Sequence, residues 1–174
     1  MRAVYLTGDL IYVRALTKED AKQAAAWFPE PFPIDPVRAE RYLKETHSDV
    51  WDRKRRLVIA RVADHTIAGS VSMRANRVHA ALAFTMAPTA TDADELEADA
   101  IRVLVPWLRD EAEHATVMVD IASDRPVSIA AAEELGLIAG ARLREHVARG
   151  GYRVDLLMYQ ALNPRLVERG GRHA

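Results

Sequence analysis

Apolar and polar residues alternate over residues 1–14, and the firmest run is Leu10-Ile11-Tyr12-Val13-Arg14-Ala15-Leu16. A two-residue period predicts strand. Thr17 and Asp20 stand at the spacing of a capping box, so a helix is predicted from there to about Trp27. Pro29, Pro31 and Pro33 then forbid helix and stiffen a loop, while Pro36 suits the first turn of a second helix reaching about Thr46. Residues 57–63 and 66–73 read as an antiparallel pair turning at Asp64-His65, and residues 80–86 as a third strand. Between residues 91 and 113, Leu96, Ala100, Val103, Leu104 and Trp107 share one helical face, with Pro106 expected to kink the helix or mark its last third. Val117-Met118-Val119 centres a strand over 116–122. Ser123 or Asp124 then caps a short helix with Pro126 in its first turn and Gly136 at its end. Two last strands, 142–147 and 152–162, are joined by Arg149-Gly150-Gly151.

The order is β-α-α-β-β-β-α-β-α-β-β. Strands grouped into a meander and a final hairpin predict an α+β fold, with a mixed, mostly antiparallel sheet flanked by helices. A length of 174 residues suits one domain. Residues 1–164 are expected to form it, and 165–174 to be a flexible tail. The net charge of −1 provides no field to recruit nucleic acid or an anionic membrane. No apolar run is long enough to span a bilayer, and Asp9 interrupts the start where a secretory leader would be apolar. A cytoplasmic protein is therefore expected. Without cysteine there is no disulfide or thiolate chemistry. The six histidines are scattered, none four residues from another and none joined by acids at ligand spacing, so no metal site is expected.

Four segments carry a resemblance. They are Val13-Arg14-Ala15-Leu16-Thr17-Lys18-Glu19-Asp20-Ala21, then Ile67-Ala68-Gly69-Ser70-Val71, then Ser128-Ile129-Ala130-Ala131-Ala132-Glu133-Glu134-Leu135-Gly136-Leu137, and last Leu143-Arg144-Glu145-His146 with Gly151-Tyr152-Arg153-Val154-Asp155 and Met158-Tyr159. In order and spacing they resemble the GNAT superfamily of acetyl-coenzyme A-dependent acetyltransferases, over about residues 10–162. The branch that acetylates the N-termini of ribosomal proteins is the most similar.

The resemblance implies acetyl transfer to an amine, either a small molecule or a peptide N-terminus. Main-chain groups of Phe84, Thr85 and Met86 would hold the donor's carbonyl and pantetheine arm. The family's tyrosine acid falls on Ala132 and is absent. Ser128 matches a serine that serves in the ribosomal branch, and equally a first-turn hydroxyl that satisfies backbone. Arg125 replaces a motif asparagine and could pair with phosphate or with Asp124. Glu145 could act as the base, or be a solvated strand glutamate. Asp155 and Tyr159 would serve structure or the acceptor wall.

The largest departure is in the loop for the cofactor's pyrophosphate. Its two glycine positions fall on Glu95 and Glu97, among Asp92, Asp94 and Asp99, and no glycine lies between Gly69 and Gly136. Thr91 or Asp92 is expected to cap that helix, with Asp94 or Glu95 completing a capping box. Glycines admit backbone to a pyrophosphate, whereas carboxylates repel it. Weak acetyl-coenzyme A binding is therefore expected, and a fold kept as a binding or regulatory module is the alternative to an enzyme. The acceptor is expected between the Pro-rich loop and the terminal hairpin. Strands 84–86 and 121–123 are expected to splay. Exposed apolar surface on the hairpin or the Pro-rich loop would support a homodimer.

Overall fold

The computed structural model describes residues 4–28, 35–48 and 54–166. β1 (Val4–Thr7) and β2 (Ile11–Ala15) form a hairpin, followed by a 3-10 helix (Lys18–Gln23), α1 (Ala24–Trp27) and α2 (Pro36–Ser48). β3 (Lys54–Arg61), β4 (Ile67–Ala75) and β5 (His79–Met86) make the meander. α3 (Ala93–Pro106) runs on through a π-helical turn (Trp107–Glu111). β6 (Thr116–Ala122), α4 (Pro126–Glu134), β7 (Ile138–Ala148) and β8 (Arg153–Leu162) complete the chain. The sheet has eight strands in the order β1-β2-β3-β4-β5-β6-β8-β7. Its pairs are antiparallel except β5 with β6. This is the α+β architecture that the segregated strands imply.

Each face of the sheet carries its own core. On one face Val117, Val119 and Ile121 of β6 pack with Leu96, Ile101 and Leu104 of α3 and with Ala131 and Ala132 of α4. On the other, Trp27, Phe28, Ala39 and Leu43 of the first helical layer cover Tyr12, Val58 and Ala60. That layer is anchored by an ion pair. Arg14 forks onto Asp20 through two 2.7 Å bonds, and both side chains are 1% exposed. The Asp20 carboxylate also accepts the Thr17 N–H at 2.7 Å, completing the capping box, and the Trp27 indole N–H donates to the Asp20 carbonyl at 2.8 Å.

Several boundaries differ from the sequence pattern. The helix begun at Thr17 is 3-10 for its first six residues. β7 starts four residues before the predicted strand at 142, and its pairing with β8 is interrupted between Ala139 and Ala141 and between Leu143 and Val147. Almost every residue of this edge strand is exposed, so no apolar alternation marks it. Pro106 ends the regular part of α3 as its missing N–H requires. Gly136 follows α4 at φ 78°, with its N–H on the Glu133 carbonyl and that of Leu137 on the Ala132 carbonyl. Pro29, Pro31, Pro33 and most of the loop they stiffen, including Phe32, lie outside the described residues, as do residues 167–174 of the expected tail. Among the described residues no helix is long and apolar enough to cross a membrane, and no group of three or more metal-ligating side chains occurs.

Candidate functional site

β5 and β6 pair from His79↔Thr116 to Ala83↔Asp120 and then part. Beyond that point Phe84, Thr85 and Met86 pair only with β4, opposite Val71, Ser70 and Gly69. Ile121 and Ala122 pair only with β8, opposite Leu157 and Leu156. The inner edge of the last three β5 residues therefore faces an opening instead of a strand. Gly69 is needed for this course, since a Cβ there would stand 2.6 Å from the Thr85 carbonyl oxygen.

The helices that follow the two strands, α3 and α4, begin at the mouth of this opening, and Asp94 joins them. Its carboxylate accepts the Val127 and Ser128 N–H groups, each at 2.9 Å, and the Ser128 hydroxyl at 2.7 Å. That hydroxyl also contacts the Asp94 carbonyl at 3.1 Å. The reason lies in the local sequence. Arg125 occupies the N-cap of α4 and cannot accept a hydrogen bond. Pro126 has no N–H, so Val127 and Ser128 carry the free donors of the first turn. Asp94 caps them from the neighbouring helix. With Arg125 N–H on the Ala122 carbonyl and Ile129 N–H on the Arg125 carbonyl, every donor at this helix end is satisfied.

Two more acids at and within α3, Asp92 and Asp99, are also committed. Asp92 takes the N-cap position but makes no side-chain cap, because it pairs with Arg61 of β3, and the capping box expected there does not form. Asp99 accepts the N–H groups of Asp9, Leu10 and Ile11 at 3.3, 2.7 and 3.0 Å and so clasps the β1–β2 turn. Glu95 is exposed. Glu97 is 5% exposed, and its nearest cation, Arg125, is 4.0 Å away. Burial pushes the Glu97 carboxyl up to about 7; Arg125 and Arg149 pull against this, and Asp94 and Asp124 reinforce it. Arg149, from the β7–β8 turn, forks onto Asp124 at 2.8 and 3.0 Å and ties that turn to the start of α4. Its guanidinium holds the Asp124 carboxyl below the ordinary range.

Asp120 stands where the strands part. Its strand neighbours Val119 and Ile121 are fully buried on the α3 and α4 face, so Asp120 points to the opposite face, in a row with Ser72, Ala83 and Met158. Burial raises its carboxyl pKa, and the charges of His146 and Arg74 act the other way. Asp120 is not among the residues expected from the sequence to form the site; an acid inside Val117-Met118-Val119-Asp120-Ile121-Ala122 is the signal that marks it.

Among the residues expected to form the site, Phe84, Thr85 and Met86 line the opening, and Arg125 and Ser128 stand at its α4 side. Ser128 is fully buried. Glu145 lies on β7, with β8 between it and β6. It is an exposed bulge residue at φ 49°, held by its N–H on the Asp155 carboxylate at 2.8 Å. Tyr159 donates its hydroxyl to Glu133 at 3.0 Å under α4.

No protein-family model matches the chain, and no curated protein sequence does. Solved structures do. A protein of Sphaerobacter thermophilus DSM 20745, assigned as an acetyltransferase without a stated substrate, is 47% identical over 93% of this chain and 99% of its own, with a TM-score of 0.76. A GNAT-family acetyltransferase of Bacillus anthracis shares the fold at TM-score 0.63 over 92% and 99% of the two chains, with 9% identity. This chain belongs to the GNAT superfamily of acetyltransferases. Mutant forms of the spermidine/spermine N-acetyltransferase SpeG of Vibrio cholerae share that fold at 21% identity and TM-score 0.59, over 91% and 98% of the chains.

Acetyltransferases of this fold generally use acetyl-coenzyme A. The two halves of that molecule fit this GNAT chain differently. A neutral pantetheine arm matches the opening, whose β5 edge leaves peptide groups of Phe84–Met86 without a strand partner. A diphosphate at the mouth would meet carboxylates. The donors of α4 are taken by Asp94, and the start of α3 carries Asp94, Glu95 and Glu97. The loop before α3, Ala87-Pro88-Thr89-Ala90-Thr91-Asp92, has no glycine to admit it.

Proposed function

We propose that this chain transfers an acetyl group from a thioester to the amine of a small molecule or a peptide N-terminus. The observation that carries the reading is the parting of β5 and β6 after Ala83↔Asp120. The donor supplies the acetyl group as an activated thioester. Main-chain groups of Phe84–Met86 hold the donor's arm along the open edge. The amine enters from the face that carries Asp120, where burial has raised the carboxyl's affinity for a proton. As the amine nitrogen bonds to the carbonyl carbon, Asp120 takes the proton the nitrogen releases, and the carbon–sulfur bonding pair leaves on sulfur as a thiolate that is protonated from solvent.

Ser128 is assigned to holding α4 in place, since its hydroxyl proton is directed at Asp94. Glu145 is assigned to the rim of the acceptor side. With Arg149, Tyr152 and Arg153 it lines an open hollow of about 410 Å³ on the hairpin. That placement keeps both a small amine and a ribosomal-type peptide N-terminus as acceptors, and the polyamine named for the Vibrio protein is a further candidate. Exposed Ile138, Leu143 and Tyr152 on β7 and its hairpin support self-association.

A second reading, in which the GNAT fold serves as a binding or regulatory module, is favoured by one observation. Asp94 straps the two helices together across the mouth of the opening. Incubation with acetyl-coenzyme A or acetyl-pantetheine and a panel of amines, polyamines and short peptides, read by mass spectrometry, separates the two. Acetylated product that disappears in Asp120→Asn supports the enzyme. Thioester binding without product supports the module.

A further inference from the structure

We infer that the acyl donor of this chain is recognised through its neutral pantetheine arm, and that the diphosphate of a coenzyme A donor gains no favourable contact. The inference rests on the acetyltransferase reading and names the chemical class of its donor, a pantetheine thioester. Three observations carry it. First, all donors at the start of α4 are used internally, through Asp94 and the turn carbonyls, so an anion there would have to displace a carboxylate held by three short hydrogen bonds. Second, the start of α3 has no side-chain cap, yet its first two turns hold Asp94, Glu95 and the buried Glu97. The positive end of a helix is worth roughly half a unit charge, which the carboxylates of Asp94 and Glu95 outweigh without Glu97. Third, the cations at the mouth are engaged. Arg149 is forked onto Asp124, and Arg125 lies against Glu97. The opening between β5 and β6 is free of this conflict, because peptide groups meet a neutral amide arm there.

The arm reaches the site either as a free small thioester or on a carrier protein, and both share the chemistry inferred here. The test is calorimetric titration of the intact chain with pantetheine and with coenzyme A, together with kcat/KM for acetyl-pantetheine, acetyl-coenzyme A and an acetylated carrier protein. The two free ligands should bind within about tenfold of each other, because the second half adds charge without contacts. At pH 8, where Glu97 is largely ionised, Glu97→Gln, which preserves side-chain volume, should tighten coenzyme A about tenfold and leave pantetheine within threefold, and high salt should shrink the gain. Asp94→Asn should act in the same direction. A higher kcat/KM for the carrier-borne arm identifies a protein donor, and equal values a free thioester; either is consistent with arm recognition. Coenzyme A binding about a hundredfold tighter than pantetheine, unchanged in both variants, overturns the inference and leaves the acetyltransferase reading standing. Neither compound binding at millimolar concentration overturns the reading and the inference with it.

Discussion

The Ser128 hydroxyl lies 2.7 Å from the Asp94 carboxylate that also accepts the Ser128 N–H, so one residue of α3 holds both polar groups of a residue in α4. A helix that lacks an N-cap acceptor of its own is being capped by its neighbour. Replacing a capping carboxylate by alanine costs about 1–2 kcal/mol. Asp94→Ala should lower unfolding free energy by that amount in urea denaturation. Ser128→Ala should cost about 1 kcal/mol, and the double variant should cost less than the sum. A structural Ser128 leaves kcat within a few-fold. A fall of about a hundredfold in kcat at unchanged stability would instead make Ser128 the acid that protonates the leaving thiolate.

Arg14 and Asp20 are nearly inaccessible to solvent and hold the first helical layer over β2. Burial works against the charged form of Asp20; the Arg14 guanidinium and the Thr17 donors overcome it and hold the carboxyl below its ordinary range. A carboxyl depressed in the folded state adds stability above its unfolded pKa, and that stability is lost as pH falls through the folded value. Asp20→Ala leaves a buried guanidinium unpaired and should cost about 3–5 kcal/mol. It should also flatten the acid side of the stability profile. A loss below about 1 kcal/mol in chemical denaturation would show that Arg14 finds water or another partner.

The central elements were legible because their side chains alternate between two buried layers. In β6, Val117, Val119 and Ile121 point one way, and the pattern survives in the sequence. β7 was legible only in part, since an edge strand with two irregularities has no buried face to mark it. The acidic run before and within α3 was conspicuous, but its meaning was not. The carboxylate of Asp94 finds its partners 33 and 34 residues away, and that of Asp99 finds its own 88 to 90 residues away. Nothing in local spacing encodes such pairings. Asp120 was overlooked for the opposite reason, because a single polar residue in a strand ordinarily faces solvent, and only the course of β5 shows that this one stands at a branch point.

Glu97 gives the chain a stability term with a distinct pH signature. Its carboxyl is raised by burial from 4.5 to about 7. Between those values the folded state keeps a proton that the unfolded chain has released. The contribution is therefore fully present below about pH 4.5 and is lost as pH rises through 7, a difference of about 3 kcal/mol across the window. Glu97→Gln should remove that slope. The variant should match the wild type at pH 4 and exceed it by about 2–3 kcal/mol at pH 8, read as the difference between two urea titrations at each pH. Equal stability of the two proteins at pH 8 would mean that Arg125, Arg149 and the surrounding water already neutralise the carboxylate. Because Asp94, Asp124, Arg125 and Arg149 all bear on this group, the comparison is made in the intact chain.

Asp120 provides the most direct test of the catalytic reading. Its carboxyl is shifted upward by burial against the opposing influence of His146 and Arg74. A base with a raised pKa holds its proton more strongly, which suits it to receive one from an amine as the new bond forms. Removal of such a group costs about a hundred- to ten-thousandfold in rate. Asp120→Asn preserves the size of the side chain in its row between Ala83 and Met158, so the fold should persist. Because a raised folded pKa makes the ionised form a liability, the asparagine variant should be at least as stable as the wild type at pH 7. The wild type should lose kcat/KM on the acid side at a pH above the ordinary carboxylate range, and Asp120→Asn should lose that limb along with the rate. His146→Ala removes a positive charge that favours the ionised carboxylate, so it should move the limb further upward without abolishing turnover. A variant that folds, keeps its rate and keeps the acid limb would exclude Asp120 as the base and return that role to a group on the acceptor side, with Glu145 first in line.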